Sequence, residues 1–160
     1  SCRNFKPDAV PRETLQAILR AGTYAATGMG KQSPLMVVVE NKELRDKISA
    51  ENARIMGKDA GFDPFYGAPI IVIVLAKKDV PTHVYDGSLV MGNLMNALGV
   101  DSIWIHRAKE EFDSDFGKQL LAEWGIEGDY EGIGHCALGY RAAELPAAAP
   151  RKDDYVHIIR

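Results

Sequence analysis

Cysteine is scarce. Only Cys2 and Cys136 occur among 160 residues, too few and too far apart for a disulfide framework or a CxxC pair. That thiol usage predicts a reducing, cytoplasmic setting. Strong charge of either sign is missing too, with a net charge of -3 at pH 7. Proteins that grip nucleic acid or an anionic membrane usually carry a basic face, so neither partner is expected. Long apolar runs are also absent. The longest, "APIIVIVLA" at 68–76, is far short of the roughly 20 residues a membrane-crossing helix needs. The chain begins at Ser1 rather than Met, which leaves a preceding targeting segment open. No later stretch resembles one.

Self-sufficient catalytic sets are lacking as well. The histidines are His83, His106, His135 and His157, and none pairs at an i, i+4 metal-ligand spacing. There is no GxSxG elbow and no Walker loop. "GIG" at 132–134 is a fragment without the rest of a dinucleotide fingerprint. Cys2 reads either as a reactive thiol beside Arg3 or, more simply, as a small residue in a turn. Cys136 falls mid-strand and should be buried. The expectation is no metal and no catalytic side chain of the chain's own. If the protein is an enzyme, a cofactor carries the reaction.

What is present is one domain's worth of alternating elements over 1–160. Apolar spacing predicts a helix over 11–26, opened by Pro11. Strand "LMVVVE" at 35–40 follows, then a helix at 42–57. "IIVIVLA" lies in a β-branched run at 69–76, apolar on both faces, which predicts a central strand. A helix at 85–98, a strand at 102–106, a helix at 109–124 and a strand at 132–140 complete the body. Segment 142–150 is an Ala/Pro arm, and "YVHII" at 155–159 reads as a trailing strand. These elements predict a three-layer α/β or α+β domain. The trailing strand has no obvious place on its own sheet, so it could pair with a partner subunit.

Scattered anion-binding features remain. Ser1 and Arg3 lie two residues apart, and in an extended segment they point the same way. A hydroxyl with a forked cation suits phosphate. "PRK" at 150–152 adds a second cationic cluster. The loop "TGMGKQSP" at 27–34 is longer than a helix-to-strand connection requires. Its glycines let backbone approach a flat ligand, and Lys31 and Gln32 supply donors.

These motifs, in order, resemble the nitroreductase-like FMN-dependent oxidoreductases. The likeness runs through "SCRNFKPDAVPRETLQAILRAGTYAATGMGKQSP", "FYGAPIIVIVLA", "YDGSLVMGNLMNALG" with "SIWIHRAKEEF", "GHCALGY" and "PRKDDYVHII". It implies an α+β three-layer α/β/α fold with a mixed, mostly antiparallel sheet. It also implies an intertwined homodimer whose C-terminal arm, 142–160, reaches the other subunit. FMN would lie at the dimer interface. Ser1, Cys2 and Arg3 would meet its phosphate, joined by Arg151. Thr27, Gly28, Met29, Gly30 and Gln32 would follow the ring or ribityl chain, from the same or the neighbouring subunit. Pro69, Ile105 and His106 would lie near the ring. For His106, a plain polar residue at a strand end is an equal reading.

The implied activity is ping-pong: NADH or NADPH reduces FMN, and a small-molecule acceptor such as a nitro compound or quinone takes the two electrons. A flavin carrier or sensor on the same fold, without hydride-transfer turnover, is the alternative. A dimeric scaffold without cofactor is a third reading. The family's first motif arginine would fall two residues before Ser1, and three further departures lie within the chain. Gly30 replaces an asparagine, Ala149 replaces a frequent lysine, and the 85–98 helix is about three residues short.

Overall fold

The structure, a computed structural model, describes residues 1–97 and 99–159. Four strands form one sheet: β1 (Leu35–Val39), β2 (Ile70–Lys77), β3 (Asp101–Ile105) and β4 (Tyr130–Gly139), in the order β1-β2-β4-β3. Among the described residues five helices cover it: α1 (Arg12–Thr23), α2 (Lys42–Ile55), α3 (His83–Asn96), α4 (Ala108–Asp113) and α5 (Asp115–Glu123).

The run that predicts a central strand is one. Ile71, Ile73 and Leu75 of β2 face a core shared with Ile48 of α2, Phe112 of α4 and Leu120 of α5. Ile70, Val72 and Val74 face a second core with Ile18 of α1 and Met91 and Leu94 of α3. Period-two alternation on a strand apolar at every position feeds two cores at once. The result is the expected three layers, α1 and α3 on one face and α2, α4 and α5 on the other.

Three expectations need correction. The sheet is not mixed: among the described residues every pairing is antiparallel. The helix expected over 109–124 is two helices. Ser114 breaks it in an extended conformation and accepts a hydrogen bond from the Gly117 N–H. Gly117 then packs so tightly on the main chain of Glu111 and Phe112 that a β-carbon has no room. Finally, 155–159 is not a strand in the single chain. Asp153–Tyr155 forms a 3-10 turn. Residues 156–159 are exposed, Ile159 at 92%, because an extended segment without a neighbouring strand has no ladder to join. The 85–98 expectation became His83–Asn96, and its last residue, Leu98, lies outside the described residues.

The "GIG" fragment has a packing explanation. Val74 pairs with Gly134 and Leu75 with Gly132, which leaves Ile133 as the extra residue of a β-bulge. A β-carbon on Gly132 would overlap the Ala108 carbonyl, and one on Gly134 would overlap the Trp104 indole. Both glycines admit a neighbour; neither belongs to a phosphate loop.

Candidate functional site

The sequence-predicted residues fall into three groups. The first lies where β2 and β3 begin and β4 ends. Residues 1–6 run across this edge, held by main-chain bonds from Cys2 N–H to Ser102 O (2.9 Å), Phe5 N–H to Tyr66 O (3.1 Å) and Lys6 N–H to Tyr140 O (2.7 Å). A return bond from Ala142 N–H to Asn4 O (2.9 Å) closes the pairing. Cys2 and Phe5 are buried anchors, and Ser1 and Arg3 stay exposed. The Cys2 thiol turns inward and donates to Asn4 O at 3.2 Å, so Cys2 offers this edge its main chain rather than its side chain. Pro69 belongs to the same edge. It packs over Gly139, where a β-carbon would sit 2.7 Å from Pro69 Cδ. Arg45, Arg54 and Arg107 each pair with a carboxylate; among the described residues Arg3 has no such partner.

The second group is the loop at 27–34, longer than its helix-to-strand connection requires. Gly28–Gly30 forms a 3-10 turn. Met29, Gly30 and Gln32 all have positive φ, 53°, 64° and 49°, a region costly for residues other than glycine. Two interactions enforce it. Thr27 Oγ1 accepts from Gln32 N–H at 3.0 Å. Asp86, buried on α3 at 2% exposure, accepts from Gly28 N–H (2.9 Å) and from the Thr82 hydroxyl (3.0 Å). Gly28 has no space for a side chain, because Thr82 fills it. Met29 is left 81% exposed, and nothing lies within 4 Å of where a Gly30 β-carbon would be. A small cleft of about 120 Å³ opens between this loop, the end of α1 and Val90. It is below the usual range for a whole organic ligand.

The third group ends β3. Ile105 is buried, and His106 is exposed with its ring stacked on Trp104 at 6.5 Å and 25°. Arg107 follows in the left-handed region, φ 76°. An open cleft of about 470 Å³ lies here, bordered by Met56, His106, Arg107, Lys109 and Ile133. The Arg107 guanidinium, hydrogen-bonded to Glu110 at 2.8 Å, holds that carboxyl below the usual range.

One chain keeps the first and second groups apart. Pro69 precedes Ile70, whereas the loop leads into Leu35, which pairs with Leu75. Six residues of strand separate the two levels, about 20 Å at 3.3 Å per residue. Arg151 lies on the exposed arm. Among the described residues no group of His, Cys, Asp or Glu is arranged to hold a metal. Cys136 is not a nucleophile, since burial pushes its thiol up to about 12. No helix is long and apolar enough to cross a membrane among the described residues.

Sequence reasoning missed Asp86, which carries no motif. Its only signal is that it is the single acidic residue of α3, placed in the first turn.

A three-layer α+β domain with an antiparallel sheet, an anchored N-terminal segment and a helix-clamped glycine loop defines the class. The model of the family described as "Nitroreductase family" matches residues 1–140, and the chain belongs to that family. A Bacteroides fragilis nitroreductase described with bound FMN is similar over 100% of this chain and 94% of its own, at 26% identity and TM-score 0.87. A Desulfitobacterium hafniense nitroreductase, also described with bound FMN, covers 99% of this chain and 93% of its own, at 27% and 0.83. A Clostridium difficile protein described as an FMN-dependent nitroreductase shares the fold at 20% identity and TM-score 0.86, with 99% and 94% covered. No curated protein matches the chain.

Proposed function

We propose that this protein is an FMN-dependent oxidoreductase. It would take two electrons from NADH or NADPH and deliver them, in ping-pong fashion, to a nitro compound, a quinone or a similar acceptor. What carries the reading is the family match over residues 1–140 combined with likeness, over the whole chain, to two nitroreductases described with bound FMN.

The residues present fit that cofactor. The exposed Ser1 hydroxyl and the Arg3 guanidinium suit the phosphate, with the Cys2 main chain beside them and Arg151 arriving from an arm. Pro69 lies on the same edge. The open space at Gly30 admits a flat ring against the Thr27–Gln32 backbone. Ile105 and His106 would border the ring. Bound FMN supplies the hydride-accepting and electron-passing chemistry. The chain's task is to bind, orient and supply donors to the ring's polar edge.

Because the phosphate group and the loop stand at opposite ends of the sheet, a complete site needs two copies. The Ser1–Arg3 edge of one copy would meet the glycine loop of the other. The exposed apolar positions Tyr155, Val156, Ile158 and Ile159 are suited to packing the arm onto the second copy.

The test is a visible absorption spectrum before and after anaerobic NADH or NADPH. Flavin bands that bleach and return with an acceptor support the proposal. Tight flavin indifferent to both nucleotides favours the carrier or sensor reading. A colourless protein that takes up no added FMN refutes both.

A further inference from the structure

The core beneath α2 and α4 contains a polar trio in an apolar setting. Asn52, Glu111 and His135 are each 0% exposed. Phe65 and Phe112 flank the imidazole at ring-centroid distances of 5.4 and 6.4 Å. Four of the trio's polar atoms, Asn52 Oδ1, Glu111 Oε1 and both His135 ring nitrogens, have no hydrogen-bond partner among the described residues. His135 Nε2 and Glu111 Oε1 are 3.4 Å apart, close enough for attraction but outside hydrogen-bond geometry. Orphaned polar atoms in a core are costly and call for a compensating role.

The bonds the trio does make point to one place. Asn52 Nδ2 donates to Glu111 Oε2 at 3.1 Å and to the His106 carbonyl at 2.9 Å. The second bond is the trio's side-chain hydrogen bond to the main chain. It meets the chain where β3 turns into α4, one residue before Arg107 with its φ of 76°. A non-glycine residue stays in that region only where its surroundings force it. No side chain caps α4 there. The anchor therefore comes from below, through Asn52.

We infer that Asn52, hydrogen-bonded to Glu111, is a positioning residue that fixes the Ile105–Arg107 main chain against the flavin ring. This rests on the FMN reading. Asn52 touches neither cofactor nor substrate; it acts through the His106 carbonyl. An apolar side chain would suit a site that is fully buried. It could not make this bond, and Glu111 keeps the Asn52 amide turned toward the carbonyl.

Asn52→Leu tests the inference, with Ile48→Ala as a control from the same helix and core. Amide exchange is read in the FMN-free protein, and the ratio of oxidised to reduced FMN affinity is read in the loaded one. Asn52→Leu should speed exchange over 105–108 at least tenfold, leave β2 unchanged and alter the affinity ratio at least fivefold. Ile48→Ala should lower the melting temperature without either local effect. Unchanged exchange at 105–108, or an unchanged affinity ratio in a variant that binds FMN, overturns the inference. The same two effects in Ile48→Ala also overturn it, because they would then report general loosening. If Asn52→Leu does not fold, Asn52→Ala carries the same expectations. Wild-type protein that takes up no FMN sinks the functional reading and this inference together; wild type that binds FMN isolates the inference.

Discussion

Replacing Asp86 should unfasten the glycine loop, and the structure gives the size of the effect. The carboxylate is buried and accepts two hydrogen bonds, from the Gly28 N–H and the Thr82 hydroxyl. Hydrogen bonds to a charged group contribute about 1.5–3 kcal/mol each. Asp86→Leu deletes both acceptors and strands two donors, a loss of about 3–6 kcal/mol. That is a large share of the roughly 5–15 kcal/mol that holds a typical domain folded. Asp86→Asn keeps a carbonyl oxygen for Gly28, and the Thr82 hydroxyl can rotate to accept from the new amide. Its loss should be about 1 kcal/mol. Urea unfolding measures both, and the slope should not change. Exchange of the Gly28–Gln32 amides should rise in Asp86→Leu before global unfolding does. If the two variants are equally stable, or if Asp86→Leu costs less than about 1 kcal/mol, the clamp does not hold the loop.

Arg3→Ala removes a charge-assisted bond to phosphate and should weaken FMN binding by about 1.5–3 kcal/mol; unchanged affinity by fluorescence titration refutes the phosphate assignment. Truncation after Pro150 should shift sedimentation toward monomer, and a stable dimer of the truncated chain would contradict the role given to the arm. Gly132→Ala must push the Ala108 carbonyl aside and should cost about 1–3 kcal/mol, whereas Gly61→Ala, with nothing within 4 Å, should be neutral or slightly stabilising. The Lys78 hydrogen bond holds the Asp113 carboxyl below its usual range against partial desolvation, with Lys109 adding to it. Its stabilisation is therefore complete above about pH 4, the unfolded value, and is lost as pH falls through the lower folded value. The stability gap between wild type and Asp113→Asn should be flat through neutral pH and close at lower pH; a gap that widens on acidification refutes the pairing.

Much of the fold was legible because it rests on local pattern. The β2 run could only be a doubly buried strand, and Leu15, Ile18 and Gly22 mark the inner face of α1. What escaped depends on which distant segments meet. Ser114 reads as mid-helix until Gly117 is seen pressed against Glu111. Glu111 sits in the charged run "KEE" and reads as a solvated face, yet the short α4 turns it beneath the sheet toward His135. The glycines at 132 and 134 suggested a weak nucleotide motif, but their neighbours Ala108 and Trp104 lie more than 20 residues away in sequence. The candidate site is proposed as a set of residues from the family resemblance. Its distribution between two ends of one sheet was not legible, since it follows from the register of β1 on β2.

That distribution has a genetic consequence. In the two-copy arrangement, a chain damaged at Arg3 and a chain damaged at Asp86 carry their faults at opposite ends. Co-expressed, the two would assemble mixed pairs in which both lesions fall on one of the two sites, leaving the other whole. Two alleles, each inactive alone, would complement one another, and about half the pairs formed by random assortment would carry one working centre.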